Sequence, residues 1–386
     1  MRLLSDINVF GKRVFVRADL DVPLREAQGT NGECLTTNAE LEISTRLTNL
    51  KPTVDYLLEH AASQILIAGH IDRPSPKLAS GKPIIDPKLS TEQILPILEK
   101  ILGREIDFYP DLSTYSKPGL EQLDKPGLGG IILLENLRFW SGETKNDPGF
   151  AQKLASMADI YVNEAFGNCH RNHTSMVALP QLLPHAAGLH LQKEIEVLEA
   201  LLKNPKRPFV AIVGGAKIET KLPVIENLAK VADSVLVGGE IAKQLTTDKK
   251  TENMSFVSGH PFDKLRVTLS SSNGQMSDVI VATLTPDGKD IDEASIERFK
   301  QLIASAKTIV WNGPMGVFEE GFEVGSMLIA QAIIDSGAYS VVGGGETTEF
   351  LGKKGLLSKF LFVSSGGGAM LEFLSGKKLP ALQVLE

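Results

Sequence analysis

Residues 209–221 read FVAIVGGAKIETK. The apolar run Phe209 to Val213 ends in Gly214 and Gly215, and beyond Lys217 the apolar residues Leu222, Ile225, Leu228 and Val231 recur at helical spacing. The stretch predicts a strand, a tight turn and a helix. Glycines let backbone N–H groups approach an anion, a helix N-terminus adds partial positive charge, and Lys217 and Lys221 add full charges. Taken alone, the stretch fits a phosphate cradle and an ordinary Gly-Gly turn equally well.

The same alternation continues outward on both sides. Residues 13–17 (RVFVR) read as a strand that ends at Ala18, Asp19, Leu20 and Asp21, followed by a loop rich in Gly, Asn and Thr. Residues 45–62 carry Leu47, Leu50, Val54, Leu57 and Leu58 on one helical face, with Arg46 at its start. The run 64–68 (QILIA) is a buried strand leading into Gly69, His70, Ile71, Asp72 and Arg73. Strands predicted at 105–109, 130–134 and 159–162 follow, the last two leading into turns that hold Arg138 and Glu164. Strand alternating with helix means a parallel sheet covered on both faces. Ligands of such sheets bind beyond the carboxyl ends of the strands. Asp19, Arg46, His70, Arg73, Arg138, His170 and Arg171 stand there, a basic constellation in a chain of net charge −7. Guanidinium forks suit carboxylate and phosphate oxygens, so the expected ligand is small and highly anionic. His70 and His170 fit structural roles as well as binding roles, and neither is assigned as a general base.

Residues 187–202 place Leu191, Ile195, Leu198 and Leu202 at helical spacing and end at Pro205 and Pro208, which suits a connector between domains. Beyond it, nearly every predicted strand ends in glycine. Gly238 and Gly239 follow 234–237, Asn312, Gly313 and Pro314 follow 308–311, Gly343 to Gly345 follow 340–342, and Gly366 to Gly368 follow 360–363. A rim of exposed backbone donors suits a polyphosphate, and turn punctuation alone fits so many sites poorly. There is no GxxxxGK[ST] loop, no GxGxxG opening a helix after a strand and no protein-kinase motif set.

With 386 residues, two domains are expected. Apolar residues make up 42% and charged residues 23%, a soluble globular balance that lacks the basic excess of a nucleic-acid binder. No apolar run reaches membrane-spanning length and the first residues lack a signal-peptide pattern, so a cytoplasmic protein is expected. Cys34 and Cys169 form neither a CxxC pair nor a zinc-spaced cluster.

Taken together, RVFVRADLDVPL, STRL, GHIDRP, LLENLRF, GETKNDPGFAQKLASMADIYVNEAFG, CHR at Cys169 to Arg171, VGGAKIETK, VWNGPMGVFE and SSGGGAMLEFLSGKKLP resemble the phosphoglycerate kinase family nearly end to end. The resemblance implies two Rossmann-like three-layer α/β/α domains with parallel sheets facing a central cleft. Residues 1–186 would bind 3-phosphoglycerate, 187–207 would form the inter-domain helix and hinge, and 208–370 would bind nucleotide. Residues 371–386 would pack back on the first domain. It also implies reversible phosphoryl transfer between ATP and the carboxylate of 3-phosphoglycerate, giving ADP and 1,3-bisphosphoglycerate in glycolysis and gluconeogenesis. By motif, Asp19, Asp21, Arg46, His70, Arg73, Arg138 and Arg171 hold the acid. Gly214, Ala216, Lys217, Lys221, Gly238, Asn312, Pro314, Glu319, Gly343, Gly344, Gly345, Glu346 and Thr347 hold the nucleotide. Arg46, Lys217, Gly344 and Gly367 act on the phosphoryl group in transit, and closure of the domains expels water. Mg²⁺ is the expected cofactor, held by Glu346 directly or through water, and a monomer that binds neither nucleic acid nor membrane is expected.

The chain departs from the family pattern at several points. Glu346 stands where aspartate is usual, Asp21 where asparagine is usual, and Asp72 and Asp292 where glycine is usual. Gly238 to Glu240 replaces a glycine triple, and the section 243–290 matches poorly. These departures leave two alternatives: a kinase for another small phosphorylated carboxylate, or a nucleotide-binding relative with weakened catalysis. A dehydrogenase is disfavoured by the missing GxGxxG.

Overall fold

The computed structural model describes residues 1–22, 46–74, 78–79, 82–112, 130–247, 256–257, 266–270 and 276–386; of 78–79, 82, 246–247, 256–257, 266–270 and 276–277 it describes the backbone alone. The loop predicted after the first strand, Cys34 and much of the section 243–290 lie outside the described residues. The chain divides into two compact units, Met1–Ile195 with Lys378–Glu386, and Glu196–Lys377.

In the first unit the strands are β1 (Arg13–Arg17), β2 (Gln64–Ala68), the short pair β3 (Leu78–Ala79) and β4 (Lys82–Pro83), β5 (Asp107–Tyr109), β6 (Gly130–Leu134), β7 (Ile160–Asn163) and β8 (His185–Ala187). Apart from β3 and β4, they form one parallel sheet in the order β5-β6-β2-β1-β7-β8. Strands β2 and β7 are buried along their whole length, as in a sheet covered on both faces. The chain builds outward from β1 through β2 on one side and returns through β7 on the other. That reversal opens a crevice at the carboxyl ends of β1 and β7. The helix predicted over 45–62 proves to be Lys51–Glu59, preceded by a separate helical turn at 46–48. Pro52 explains the difference, because a residue without an N–H is tolerated in the first turn of a helix and not in its interior. Both ends of the unit seal onto the β8 edge: Ala187 N–H donates to Arg2 O at 3.1 Å, and Arg2 N–H donates to Leu385 O at 3.1 Å.

The second unit contains β9 (Phe209–Val213), β10 (Ser234–Val237), β11 (Phe256–Val257), β12 (Arg266–Ser270), β13 (Met276–Val281), β14 (Thr308–Asn312), β15 (Tyr339–Gly343) and β16 (Phe362–Val363). Their order is β11-β12-β13-β10-β9-β14-β15-β16. From β13 to β16 the pairing is parallel, as expected; β11 and β12 extend the sheet antiparallel, an edge the sequence pattern did not foretell. Register sets the site. Val213 lies opposite both Val237 and Asn312, and Asn312 lies opposite Gly343, so the glycine turns that follow stand level along one rim. Beneath the rim, Trp311, Phe299 and Phe350 are fully buried, each contributing about 1.5–3 kcal/mol of burial free energy or more.

Candidate active site

The rim of the second sheet is closed by an interlock of backbones. Gly214 N–H donates to Asn312 O and Gly215 N–H to Pro314 O, both at 2.9 Å. Here β9 and β14 meet, at the point where the strand order reverses, which is where open α/β sheets bind ligands. Three helices begin beside it: Ile218–Leu228 behind Lys217, Gly345–Lys353 behind Gly344, and Gly367–Leu374 behind Gly366. None has a side-chain cap, so their first-turn N–H groups are left for another acceptor. All three open into a cavity of about 440 Å³ lined by Ala216, Lys217, Lys221, Asn312, Gly344, Gly345, Glu346, Thr347 and Gly367, among others. An uncapped helix N-terminus is an anion site, and three around one cavity with two lysines suit a chain of phosphates.

Not every residue nominated by sequence reaches that wall. Gly214, Gly238, Pro314 and Gly343 are buried behind it as close-packing backbone, and Glu319 is exposed in the Phe318–Glu320 turn. Conversely, Leu371, Glu372, Ser375 and Lys377 line the cavity and belong to the second unit, while Lys378–Glu386 belongs to the first.

Lys217 is exposed at the helix start. Lys221 is not. The buried face of its helix is Lys221, Val224, Ile225 and Leu228, one step round from the stripe predicted through Leu222 and Val231. Lys221 Nζ donates to Asn312 Oδ1 and lies 3.4 Å from Asn312 O. Burial pushes the ammonium down to about 8, with the Glu346 carboxylate opposing. The unfolded chain therefore binds more protons than the folded one between that value and the ordinary lysine range, and stability rises with pH across the interval. We expect urea unfolding to show the stability of the wild type gaining on that of Lys221→Met by about 2 kcal/mol between roughly pH 8 and 10.5. A constant difference would place the ammonium in water.

In the first unit the crevice collects the predicted acid-binding residues. Arg46 Nη1 donates to Asp21 O at 3.0 Å and lies 3.8 Å from Asp19 Oδ2. Asn168 Nδ2 donates to Asp19 Oδ1 at 3.3 Å. His70 is fully buried, with Nε2 3.6 Å from Asp21 Oδ2. Asp21 also accepts the Asp72 N–H at 2.7 Å. Burial alone would raise the Asp21 carboxyl, but His70, the Asp72 N–H and Arg46 hold it down to about 2. Arg138 is buried and donates through Nη1 to Asp72 O. Arg73 is exposed, and burial pushes the half-buried Arg171 guanidinium down, against Asp21 and Asp19 and with Arg73 and Arg17.

Sequence reasoning passed over the support beneath them. Arg17, the last residue of β1, is fully buried; Nε donates to Ser175 Oγ at 2.8 Å, Nη1 to Ala18 O, and Nη2 meets His70 Nδ1 at 2.8 Å. Ser175 in turn donates its hydroxyl to Glu143 Oε1 at 2.6 Å and its N–H to Oε2 at 3.0 Å. The signal available was an arginine inside a strand buried on both faces, where an unpaired charge is not tolerated.

An anion crevice on one sheet and a polyphosphate cradle on the other describe a chain handling two phosphate-bearing ligands. The family model for phosphoglycerate kinase matches residues 4–377. The chain belongs to the phosphoglycerate kinase family. It is 38% identical over 406 aligned positions to phosphoglycerate kinase from Solibacter usitatus (strain Ellin6076), covering 99% of this chain and 98% of the relative. To the cytosolic phosphoglycerate kinase of Triticum aestivum it is 36% identical over 419 positions, covering 99% and 97%. Among solved structures it is similar to phosphoglycerate kinase from Coxiella burnetii, with a TM-score of 0.74, 30% identity and coverage of 100% of this chain and 99% of that one.

Several departures from the phosphoglycerate kinase pattern have local physical reasons. Asp72 has φ +54°, a left-handed backbone where glycine is free and aspartate is among the better tolerated residues. Asp292 caps the helix Glu293–Ser305, accepting the Ser295 N–H at 2.8 Å. Asp21 turns its carboxylate to His70 and the Asp72 N–H, so its charge is compensated within the crevice. Glu346 is exposed in the first turn of its helix, and its Oε2 lies 3.0 Å from where a side chain on Gly215 would begin. Among the described residues, no group of three or more His, Cys, Asp and Glu gathers as a metal cage. A single carboxylate beside a phosphate cradle suits magnesium, which binds through one or two carboxylates together with substrate phosphates.

Proposed function

We propose that the protein transfers the γ-phosphoryl group of ATP reversibly to the carboxylate of 3-phosphoglycerate, giving ADP and 1,3-bisphosphoglycerate, a step of glycolysis and gluconeogenesis. What carries the reading is the convergence of three uncapped helix N-termini with Lys217 and Lys221 on one cavity, in a chain of the phosphoglycerate kinase family.

The acceptor carboxylate is ionised at neutral pH, so the reaction needs no general base. Positioning and neutralisation of charge supply the acceleration. Arg46, Arg73, Arg138 and Arg171 hold the acid's phosphate and carboxylate, His70 donates one hydrogen bond, and Asp19 and Asp21 orient Arg46 and His70. Lys217 and Arg46 neutralise the phosphoryl oxygens in transit, assisted by the N–H groups at Gly344 and Gly367. Lys221, steadied by Asn312, supplies charge from the cavity floor. Magnesium, bound with the nucleotide, neutralises its phosphates, and Glu346 would hold it directly or through water. Direct transfer requires the two ligands to meet where water is excluded.

A coupled assay with ATP and 3-phosphoglycerate tests this, and folded protein without magnesium-dependent turnover overturns it. Within the assay, Glu346→Gln is expected to raise the magnesium concentration for half-maximal rate about tenfold. An unchanged requirement takes Glu346 out of the metal role. We place the protein in the cytoplasm, in line with the cytosolic relative. No helix of the described residues is long and apolar enough to cross a membrane. We take the protein to act as a monomer.

A further inference from the structure

We propose that Arg17 is a positioning residue that fixes His70 as a neutral imidazole with its proton on Nε2, so that the acid site receives a directed hydrogen bond from His70 and not a titrating cation. The proposal deepens the reading of the first unit as the 3-phosphoglycerate site and rests on it.

Arg17 Nη2 lies 2.8 Å from His70 Nδ1. A guanidinium has only donors, so Nδ1 is the acceptor and the single proton of the neutral ring sits on Nε2. Protonating Nδ1 would break that bond and bring two cations to the same 2.8 Å inside the protein, where charge is poorly solvated. Arg17 cannot turn away. Its other nitrogens are held by Ser175 Oγ and Ala18 O, and Ser175 donates its own hydroxyl to Glu143, so the buried guanidinium is linked through one serine to a fully buried carboxyl that burial pushes up and that Arg17 and Ser175 hold down.

The remaining groups around the ring agree. Asp21 faces Nε2, the His173 ring stands edge-on at 6.4 Å between centroids, and His173 Nδ1 is itself 3.8 Å from Glu143 Oε1. Burial pushes the imidazole down to about 4, with Asp21 opposing and Arg17 and Arg171 adding to the shift. Among the described residues Nε2 has no hydrogen-bond partner of normal length although the side chain is fully buried. That N–H is left facing the Asp21 carboxylate, for Asp21 or a ligand oxygen to draw into a full hydrogen bond. The consequence is that His70 adds no cation to the acid site, and its own part in the affinity does not follow histidine titration.

The test begins with ligand-free wild type carrying ¹⁵N-labelled histidine, the His70 signals being assigned by their loss in His70→Gln. Nitrogen chemical shifts should report a neutral ring protonated at Nε2 from about pH 5.5 to 8. A ring protonated at Nδ1, or an imidazolium appearing as pH falls to about 6, overturns the proposal. This measurement uses no substrate, so it stands or falls separately from the assigned reaction.

The second arm is kinetic. Arg17→Met is combined with Glu143→Gln so that no buried carboxylate loses its counter-charge. The KM for 3-phosphoglycerate is then divided by the wild-type value at each pH, which cancels the substrate's own phosphate ionisation. The ratio should rise about twofold from pH 5.5 upward, as the released His70 loses a charge that Asp21 favours and burial still opposes. A flat ratio from a double variant that still unfolds cooperatively in urea denies Arg17 the role and overturns the proposal.

Discussion

Lys217→Ala is expected to lower kcat about 10²- to 10³-fold while the KM for ATP changes by no more than roughly threefold. Lys217 stands at the start of the helix Ile218–Leu228, exposed and on the wall of the cavity into which three helix N-termini open. On the proposed reading, backbone N–H groups and Lys221 already serve the ground-state phosphates there. What a free-ended ammonium adds is charge that follows the phosphoryl group as its bond loosens, and only interactions stronger in the transition state accelerate the step. Because the side chain is exposed, the variant should unfold in urea within about 0.5 kcal/mol of wild type. Steady-state rates in the coupled assay check the first claim and the unfolding midpoint the second. A variant retaining most of its kcat would move the catalytic charge elsewhere in the cavity.

The contrast between the two lysines shows what the sequence could convey. The strand Phe209–Val213 was legible because a short apolar run ending in two glycines has few other readings. The helix after it was legible as a helix but not in its facing. Apolar periodicity favours Leu222 for the core, whereas the fold turns Lys221 inward onto Asn312. Functional sites are where such local rules are broken. Arg17 is the same lesson in the first unit: nothing in RVFVR alone marks it as buried, and its place in the centre of a parallel sheet is what buries it. The sign of φ at Asp72 and the capping role of Asp292 are properties of backbone geometry, which one sequence does not carry. The antiparallel edge was illegible for another reason. Strand β11 is only two residues long and no helical pattern separates β12 from β13, so the βα alternation that exposed the rest of the sheet is missing.

Gly313→Ala is expected to destabilise the second unit by on the order of 4 kcal/mol or more, against a total of about 5–15 kcal/mol for a domain of ordinary stability. Gly313 has φ +98°, and a Cβ there would lie 2.1 Å from Gly214 O, 2.3 Å from Gly214 C and 2.9 Å from Gly215 N. These are backbone atoms, and they have nowhere to go. A Cβ on Gly214 would itself lie 2.2 Å from Pro314 O, and the two turns are tied by the Gly214 N–H to Asn312 O and Gly215 N–H to Pro314 O bonds. Making room means prising β9 from β14 at the rim, which breaks both bonds and displaces the mouth of the cavity. Gly321→Ala separates this effect from backbone strain. Gly321 has φ +87°, and a Cβ added there would meet nothing within 4 Å, so only the left-handed conformation is penalised, at about 1–2 kcal/mol. Urea unfolding of the two variants, followed by a probe in the second unit, gives the difference directly. Equal losses would mean that the interlock yields without cost; a much larger loss at Gly313 means that the geometry holding the phosphate cradle open is also what holds the sheet together.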